Sequence, residues 1–354
     1  MSLRLLHVAE TLKGGVATVV VAISQEDKVN HSLYGPDEHC GSVSGFKGKF
    51  YSFVRKGRSL TSLLSFVVKF PSVFFSVRPD VIHFHSSFSL LLSPIARFFS
   101  IFGPRIRIVY QPHGVSYDSD IPRSKFNKFI LEYVEKFLVI FVDLIIVISN
   151  HELGEVSRVH PNKDVVIIYN GVRETLIFGE EIPRDGFLFV GRFDDQKGID
   201  LLIDFWNATG QTEILNLVGE SVVGAFEIGI SQNIKVHGWL NPEELDSMYA
   251  SSKALIVPSR WEGFGLVVIE AYRNSTPVIV SNKGALPELV VEGETGFIID
   301  MDNFNSSLSN KLFDFSKSDF AILGKNSRNR YVSEFSEREF LEKILNVYCG
   351  DKMA

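Results

Sequence analysis

The stretch Pro258–Glu270, PSRWEGFGLVVIE, joins an apolar run, ALIVPS, to a helical pattern beginning near Leu266 through a turn that bears Gly263 and Gly265. The first N–H groups of such a helix have no partner inside it and lie at the positive end of its dipole, which suits a phosphate. The two glycines let the backbone approach a ligand closely. Glu262 lies just outside the helix and Glu270 about a turn inside it, with seven residues between them. Both can face one bound molecule, one carboxylate taking sugar hydroxyls and the other ribose hydroxyls. Two acids alone are equally well read as a solvated loop acid and an exposed helix residue. The flanking strand, the glycines and the strand restarting at Pro277-Val278-Ile279 favour a site.

A second constellation, Val190–Gly198 (VGRFDDQKG), delivers Gly191 and Arg192 at a strand end and Lys197 before a glycine and a helix. Two cations on one short loop can bracket a diphosphate, Arg192 as a fork and Lys197 as a point charge. They would stabilise the charge that develops on a leaving diphosphate. Alone the loop reads as incidental surface charge; beside the first motif it reads as its partner.

The N-terminal half is less explicit. Gly14-Gly15 follows the first strand without a GxGxxG fingerprint, so a tight turn explains it as well as ligand contact. Three histidines stand at strand tips. His113, beside Gly114 after IRIVYQP, ranks first because the glycine leaves room for a ligand; His85 ranks second and His83, inside DVIHFH, third. No HExxH or Cys/His ligand spacing is present, so no metal is expected.

These residues need rigid strand ends to hold them. Leu3–Val8, Val81–Phe84, Ile106–Gln111, Leu144–Ile148 and Val165–Tyr169 read as brief strands apolar on both faces, as in a buried parallel sheet. After the polar stretch Arg173–Gly186 the pattern restarts. Strands are expected at Phe187–Val190, Glu213–Val218, Ile234–His237, Ala254–Val257 and Val278–Ser281. Helices are expected at Gly198–Trp206, at Pro242–Ala250 with Asn241 as cap, and at Val267–Arg273. Alternating β and α units imply doubly wound sheets. The fold expected is α/β, with two Rossmann-like doubly wound domains facing across a cleft. The boundaries read 1–172, 173–335 and a C-terminal helix, 336–354, for which the N-terminal domain is a candidate packing surface.

The 354 residues exceed what one core usually serves. Hydrophobic residues make up 45% and charged residues 22%, an ordinary globular balance, and the net charge of −6 argues against nucleic acid as partner. Yet Gly41–Val115 holds ten basic residues against one acid, Asp80, which suggests an anionic surface or ligand. Cys40 and Cys349 form no disulfide framework, and the N-terminus lacks a signal-peptide core, so a reducing, cytoplasmic setting is expected. The longest apolar run is taken as Phe137–Ile148, too short to span a bilayer.

Taken together, the motifs resemble glycosyltransferase family 4, retaining enzymes of the GT-B fold. The pieces are GGV at Gly14, PHG at Pro112, NGV at Asn170, VGR…KG at Val190, HGWL at His237, EGFGLVVIEA at Glu262, PVI at Pro277, LPELV at Leu286 and GETGFIID at Gly293. One departure is Ser275, where the family often has glycine. The resemblance implies that Arg192 and Lys197 hold a donor diphosphate. It implies that Glu262 contacts the donor sugar, with Gly263 and the amides of Phe264, Gly265 and Leu266 near sugar or phosphate, and that Glu270 binds the ribose. Gly15, next to Gly14, would line the diphosphate, and His113 would sit by the transferred sugar. It also implies a nucleoside-diphosphate sugar as donor, UDP-sugar favoured and GDP-sugar the other candidate. The acceptor would be a glycan or lipid-linked saccharide, in surface polysaccharide or lipopolysaccharide synthesis, with no metal or other cofactor.

Two other readings compete. A phosphorylase would need a lysine-bound pyridoxal group and a longer chain. A degenerate, non-catalytic sugar-nucleotide-binding protein would not need Arg192, Lys197, Glu262 and Glu270 together. A peripheral membrane site is expected in Gly41–Lys69, where Lys47, Lys49, Arg55, Lys56, Arg58 and Lys69 alternate with Phe46, Phe50, Tyr51 and Phe53.

Overall fold

The computed structural model describes residues 2–57, 59–103, 105–174, 182–221 and 231–350. Arg58 lies outside them, as does part of the polar stretch between the two β/α series. The chain divides into two compact units, Met1–Gly171 with Glu337–Ala354, and Val172–Ser336.

The first unit runs β1 (Leu3–Ala9), α1 (Gly15–Ile23), β2 (Val29–Pro36), β3 (Lys49–Phe53), α2 (Leu60–Val77), β4 (Val81–His85), α3 (Ser93–Phe99), β5 (Arg107–Gln111), α4 (Lys125–Val139), β6 (Leu144–Val147), α5 (Asn150–Val159) and β7 (Val165–Ile167). The seven strands lie parallel in the order β3-β2-β1-β4-β5-β6-β7. In the second unit the elements are β8 (Phe187–Val190), α6 (Ile199–Thr209), β9 (Leu215–Val218), β10 (Ile234–Val236), α7 (Pro242–Ser251), β11 (Ala254–Val257), α8 (Leu266–Arg273), β12 (Val278–Ser281), β13 (Gly296–Ile299), α9 (Phe304–Ser316) and α10 (Phe320–Arg330). Its six strands are parallel in the order β10-β9-β8-β11-β12-β13. The closing helix α11 (Glu337–Cys349) belongs to the first unit.

Strands such as FLFV, ALIV and VIVS are buried on every residue, because helices cover both faces of a parallel sheet. In the first unit, α2, α4 and α5 pack on one face, through Phe66, Phe70, Leu138 and Val156 against Leu6, Ile82 and Ile145. On the other face α1 and α11 cover Leu5, Val81 and Val109, with Val19, Phe340, Ile344 and Tyr348. In the second unit, Trp206 of α6 and Phe315 of α9 both meet the Phe187 ring of β8. Buried side chains of this size contribute about 1.5–3 kcal/mol each relative to exposure.

Each sheet order reverses once, between β1 and β4 and between β8 and β11. At such a switch point the two crossovers leave on opposite faces and open a crevice beyond the strand C-termini, where ligands bind. The loops after β8 and β11 are the two sequence constellations.

Three strands lacked a sequence signal: β2 carries His31 and Ser32 inside it, β3 is a half-exposed edge, and β13 begins at a glycine. The longest apolar run was also misplaced. α2 has the length and apolarity to cross a bilayer, with a mean hydropathy of 1.7. Its Phe66, Phe70 and Phe74 stripe instead lies in the core of the first unit.

Candidate functional site

In the second unit the loop after β8 makes a tight turn at Asp195–Lys197, closed by the Lys197 amide donating to the Asp194 carboxylate at 3.1 Å. Gly198 follows with φ 66°, and a β-carbon there would lie 2.1 Å from the Pro258 carbonyl, so only glycine fits. That close approach seats the turn against the loop after β11. The Arg260 amide donates to the Gln196 carbonyl at 2.8 Å, and Gln196 Nε2 to the Trp261 carbonyl at 3.2 Å. Arg260 reaches Asp200 of α6 at 2.8 Å. Across this seam Lys197 Nζ pairs directly with the Glu262 carboxylate, which Ser259 Oγ also approaches at 3.4 Å. Residues 65 apart in sequence thus meet at the switch point, a cation and an anion each mostly withdrawn from water.

Arg192 stands on the same loop but is half exposed, bonded to Gln196 Oε1 at 2.8 Å and paired with Asp194 at 3.1 Å. Gly265 takes φ 98° and caps α8 without any side-chain bond, which leaves the start of that helix uncapped toward a ligand. Gly263 lies in the same turn. The Phe264 ring is buried edge-on against Phe335, so this residue can offer only its backbone. Leu266 opens α8. One turn on, Glu270 accepts the Tyr249 hydroxyl of α7 at 2.8 Å, and burial raises its carboxyl above the usual range. It is therefore neither a solvated helix acid nor bonded to Glu262.

In the first unit, Gly14 caps α1 with φ 55° and ψ −137°. A β-carbon there would meet nothing within 4 Å, so conformation rather than crowding calls for glycine, and the entry to Gly15 and α1 is open. His113 sits at φ 58°, a left-handed backbone that costs a side-chain-bearing residue about 1–2 kcal/mol. Beside it, the Gly114 amide donates to Glu152 Oε1 at 2.6 Å, while Oε2 takes the Ile148 amide at 2.8 Å. Burial raises the Glu152 carboxyl to about 7. Sequence reasoning missed Glu152. Its signal was Ser149-x-x-Glu152, a capping pattern at the start of α5, in which Ser149 Oγ accepts the Glu152 amide.

Sequence reasoning also missed what stands behind His113. His113 Nε2 lies 2.9 Å from His85 Nδ1, His85 Nε2 lies 3.0 Å from His7 Nδ1, and His7 Nε2 lies 3.4 Å from His31 Nδ1. His31 Nε2 ends the chain 3.1 Å from the Glu26 carbonyl. Burial lowers the pKa of all four rings, His113 to about 3, so each is neutral and carries one N–H. A carbonyl only accepts, so His31 must hold its proton on Nε2. Its Nδ1 then accepts from His7 Nε2, whose Nδ1 accepts from His85 Nε2, whose Nδ1 accepts from His113 Nε2. One backbone carbonyl fixes four tautomers, and the bare nitrogen at the far end is His113 Nδ1.

Ligand-type side chains converge in space where no sequence spacing announced them. His7, His83 and His85 form one group and Asp118, Asp120 and His151 another, each with candidate atoms within 4.8 Å. In the first, the His7–His85 bond uses two of the nitrogens, and His83 Nδ1 meets the Tyr348 hydroxyl of α11 at 2.7 Å. In the second, His151 Nε2 bonds Asp118 at 3.0 Å. Hydrogen bonding accounts for both groups, save for His83 Nε2, which is buried without a partner.

The basic segment differs from its sequence reading. Phe53 is fully buried, and Phe46 and Phe50 pack against a small cluster under α1. Arg55 is mostly withdrawn from water between Glu10 and Glu38. Lys47 pairs with Asp27, and Lys49 lies over the Tyr51 ring. Along β3 the side chains alternate between two packed faces, Phe50 against the cluster under α1 and Tyr51 and Phe53 against the core beneath α2, so the aromatics of 46–53 do not form an insertion surface.

Two parallel-sheet α/β domains with the constellation at the second switch point define a GT-B glycosyltransferase. Residues 13–176 match Glycosyltransferase Family 4, and residues 173–333 match Glycosyl transferases group 1. The chain belongs to glycosyltransferase family 4, and it is a transferase enzyme. It is 30% identical over 318 residues to an uncharacterized 41.2 kDa protein in the cps region of Klebsiella pneumoniae, covering 86% of this chain and 87% of that one. It is 26% identical over 330 residues to the UDP-Gal:alpha-D-GlcNAc-diphosphoundecaprenol alpha-1,3-galactosyltransferase of Escherichia coli, covering 84% and 80%. Among solved structures, Anabaena HepE in complex with UDP superposes with a TM-score of 0.80 at 19% identity, covering 98% and 99%.

Proposed function

We propose that this glycosyltransferase moves a hexose-type sugar, with retention, from a nucleoside-diphosphate sugar to a glycan or lipid-linked saccharide in cell-surface polysaccharide synthesis. UDP-sugar is the favoured donor. The observation that carries the reading is the Lys197–Glu262 pair at the switch point of the second unit. Without donor, each charge masks the other. A bound diphosphate competes for Lys197 as a stronger anion, and the released Glu262 carboxylate can accept sugar hydroxyls. Arg192, half exposed on the same loop, is available to the same diphosphate. As the bond from the anomeric carbon to the diphosphate breaks, the acceptor oxygen adds on the same face and its proton passes to the departing phosphate oxygen. Lys197, Arg192 and the start of α8 stabilise the charge that gathers there. Glu270, on α8, suits the ribose, and His113 Nδ1 suits a sugar hydroxyl as acceptor. None of these steps requires a metal.

The printed names of the relatives support the substrate class. The Escherichia coli relative takes UDP-Gal and a diphosphoundecaprenol acceptor, and HepE was crystallised with UDP. On this reading the enzyme would meet a lipid-linked acceptor at the cytoplasmic face of a membrane.

The test is turnover by the purified protein across a panel of nucleotide sugars. Lys197→Ala and Glu262→Ala are each expected to lower turnover by about 10²–10³ with the fold intact. Near-normal activity in both sinks the assignment. A non-catalytic binding protein would release no nucleoside diphosphate from any donor, even slowly without acceptor.

A further inference from the structure

Among the described residues, fifteen of the twenty-one exposed large apolar side chains lie in the first unit, and fourteen of those come from α2, from α3 with the turn after it, and from α4 with its cap. The second unit has six, scattered over its elements. All three helices pack on the same face of the first sheet. Phe99 of α3 touches Phe74 and Phe75 of α2 at ring distances of 5.1 and 4.9 Å, and α3 packs against α4. The apolar side chains therefore share one continuous outer surface.

Helix α4 makes the pattern plainest. A surface helix sets polar residues opposite its buried stripe. Here the buried stripe is Glu135, Leu138 and Val139, and the outward side carries Phe126, Phe129 and Phe137. On α3 and the turn after it, Phe98 and Phe102, the latter 75% exposed, stand edge to face with one another. Water gains nothing from this arrangement, and a patch of this kind marks an interaction site.

The charges at its border select the partner. Arg123, Lys125 and Lys136 are exposed and form no ion pair among the described residues, while the acids of α4 are used: Glu132 pairs with Arg158, and Glu135 is buried against the Tyr117 hydroxyl. We propose that this face of the first unit docks on an anionic phospholipid bilayer, with the aromatics of α4 and of the turn after α3 in the acyl boundary and the three cations among the headgroups. A second copy of the chain fits less well, because a two-fold contact would set the cations against their own images. The proposal does not depend on which sugar or acceptor the enzyme uses. Of the segment Gly41–Lys69 expected from the sequence, it keeps only the exposed apolar side chains at the start of α2, Leu60, Leu64 and Val68, and moves the cations to α4 and the residues before it.

The experiment is vesicle sedimentation of the full chain with phosphatidylglycerol–phosphatidylethanolamine or with phosphatidylcholine, with nucleoside-diphosphate release from donor in solution as a separate readout of folding and catalysis. Binding is expected with the anionic vesicles and should weaken as salt rises. The triple variant Arg123→Glu/Lys125→Glu/Lys136→Glu is expected to lower it by about tenfold or more. Phe126→Ser/Phe129→Ser is expected to lower it comparably, with donor turnover in solution unchanged. Lys47→Glu/Lys49→Glu should leave both readouts near those of the parent. Equal binding to both vesicle types, binding to neither, or full binding by the α4 variants overturns the proposal. So does a dimer of the parent protein that the Phe126→Ser/Phe129→Ser variant dissociates. Loss of donor turnover with docking intact would count against the transferase site and not against the membrane face.

Discussion

His7→Phe should reverse the proton of a ring it does not touch. His7 is fully buried and bonded at both ring nitrogens, to His85 at 3.0 Å and to His31 at 3.4 Å. Phenylalanine fills the space and strands two buried partners, the His85 Nε2–H and the His31 Nδ1. Leaving a buried polar group unmet costs about 1–3 kcal/mol, so the two together should lower stability by about 2–6 kcal/mol. His85 can recover part of this by moving its proton from Nε2 to Nδ1. That proton then points at His113 Nε2, and His113 must carry its own on Nδ1. The nitrogen offered to a ligand changes from acceptor to donor. Loss of one hydrogen bond of about 1–1.5 kcal/mol would lower kcat/KM about tenfold. The assay is long-range proton–nitrogen correlation of the imidazole rings at pH 7.5, where bare and protonated nitrogens are distinguished directly. His7→Gln should restore the parent pattern, because its amide can accept from His85 and donate to His31. Two results refute the reasoning: a parent protein with His113 protonated on Nδ1, or a folded His7→Phe variant with an unchanged His113. The pH dependence has a set sign. These rings have lowered pKa values in the fold, so the stability they contribute is present above about 6.5, the unfolded value, and is lost as pH falls toward their folded values. The His7→Phe penalty, measured by chemical denaturation, should therefore shrink as pH falls below about 6.5.

The Glu152 carboxyl, raised to about 7 from 4.5, works in the opposite sense. Its contribution is present below about 4.5 and lost as pH rises through about 7, up to about 3 kcal/mol, and the stability difference from Glu152→Gln should vary with pH by that order between pH 4.5 and 8 and not beyond. Ser275 holds φ 56° where the family often has glycine, so Ser275→Gly should raise stability by about 1 kcal/mol in urea denaturation, and an unchanged midpoint would refute the strain. Turnover should survive chelator; activity abolished by chelator and restored by Mg²⁺ or Mn²⁺ would overturn the metal-free reading.

How much of this was legible follows from what a residue pattern can record. Strands buried on both faces announce themselves as unbroken apolar runs, and FLFV, ALIV and VIVS have the bounds the sequence suggests. A strand loses that signature where its side chains face something other than aliphatic core. β2 carries His31 toward His7 and Ser32 in its interior, and β3 meets solvent on one side at the sheet edge. The same alternation in β3 produced the false surface at Phe46–Phe53: basic and aromatic residues in turn look amphipathic whether the partner is a membrane or the protein's own core. What separates the two is whether the chain itself covers both faces of the strand, as it does here, and that is a tertiary fact.

For the site, motifs found the residues but not their partners. Lys197 and Glu262 each carried a local signal, a loop at the end of a strand, and their contact arises because β8 and β11 are neighbours at the point where strand order reverses. The histidine chain had less to show. His7, His83 and His85 lie on one face because residues two apart on a strand share a face, and the parallel register sets His7 opposite His83 and Ala9 opposite His85. His31, paired with Leu5 on β2, enters the same face from the other side. His7, His31, His83 and His85, from three strands, thus share one face of the sheet, and His113 joins His85 from the loop after β5, although nothing in their spacing suggests a common task. Their order becomes meaningful only through the Glu26 carbonyl, which can accept and cannot donate. A position that looked like a lone histidine beside a glycine is in this way the outer end of a buried chain, and the group that decides its hydrogen-bonding character is a backbone oxygen eighty-seven residues earlier in the sequence.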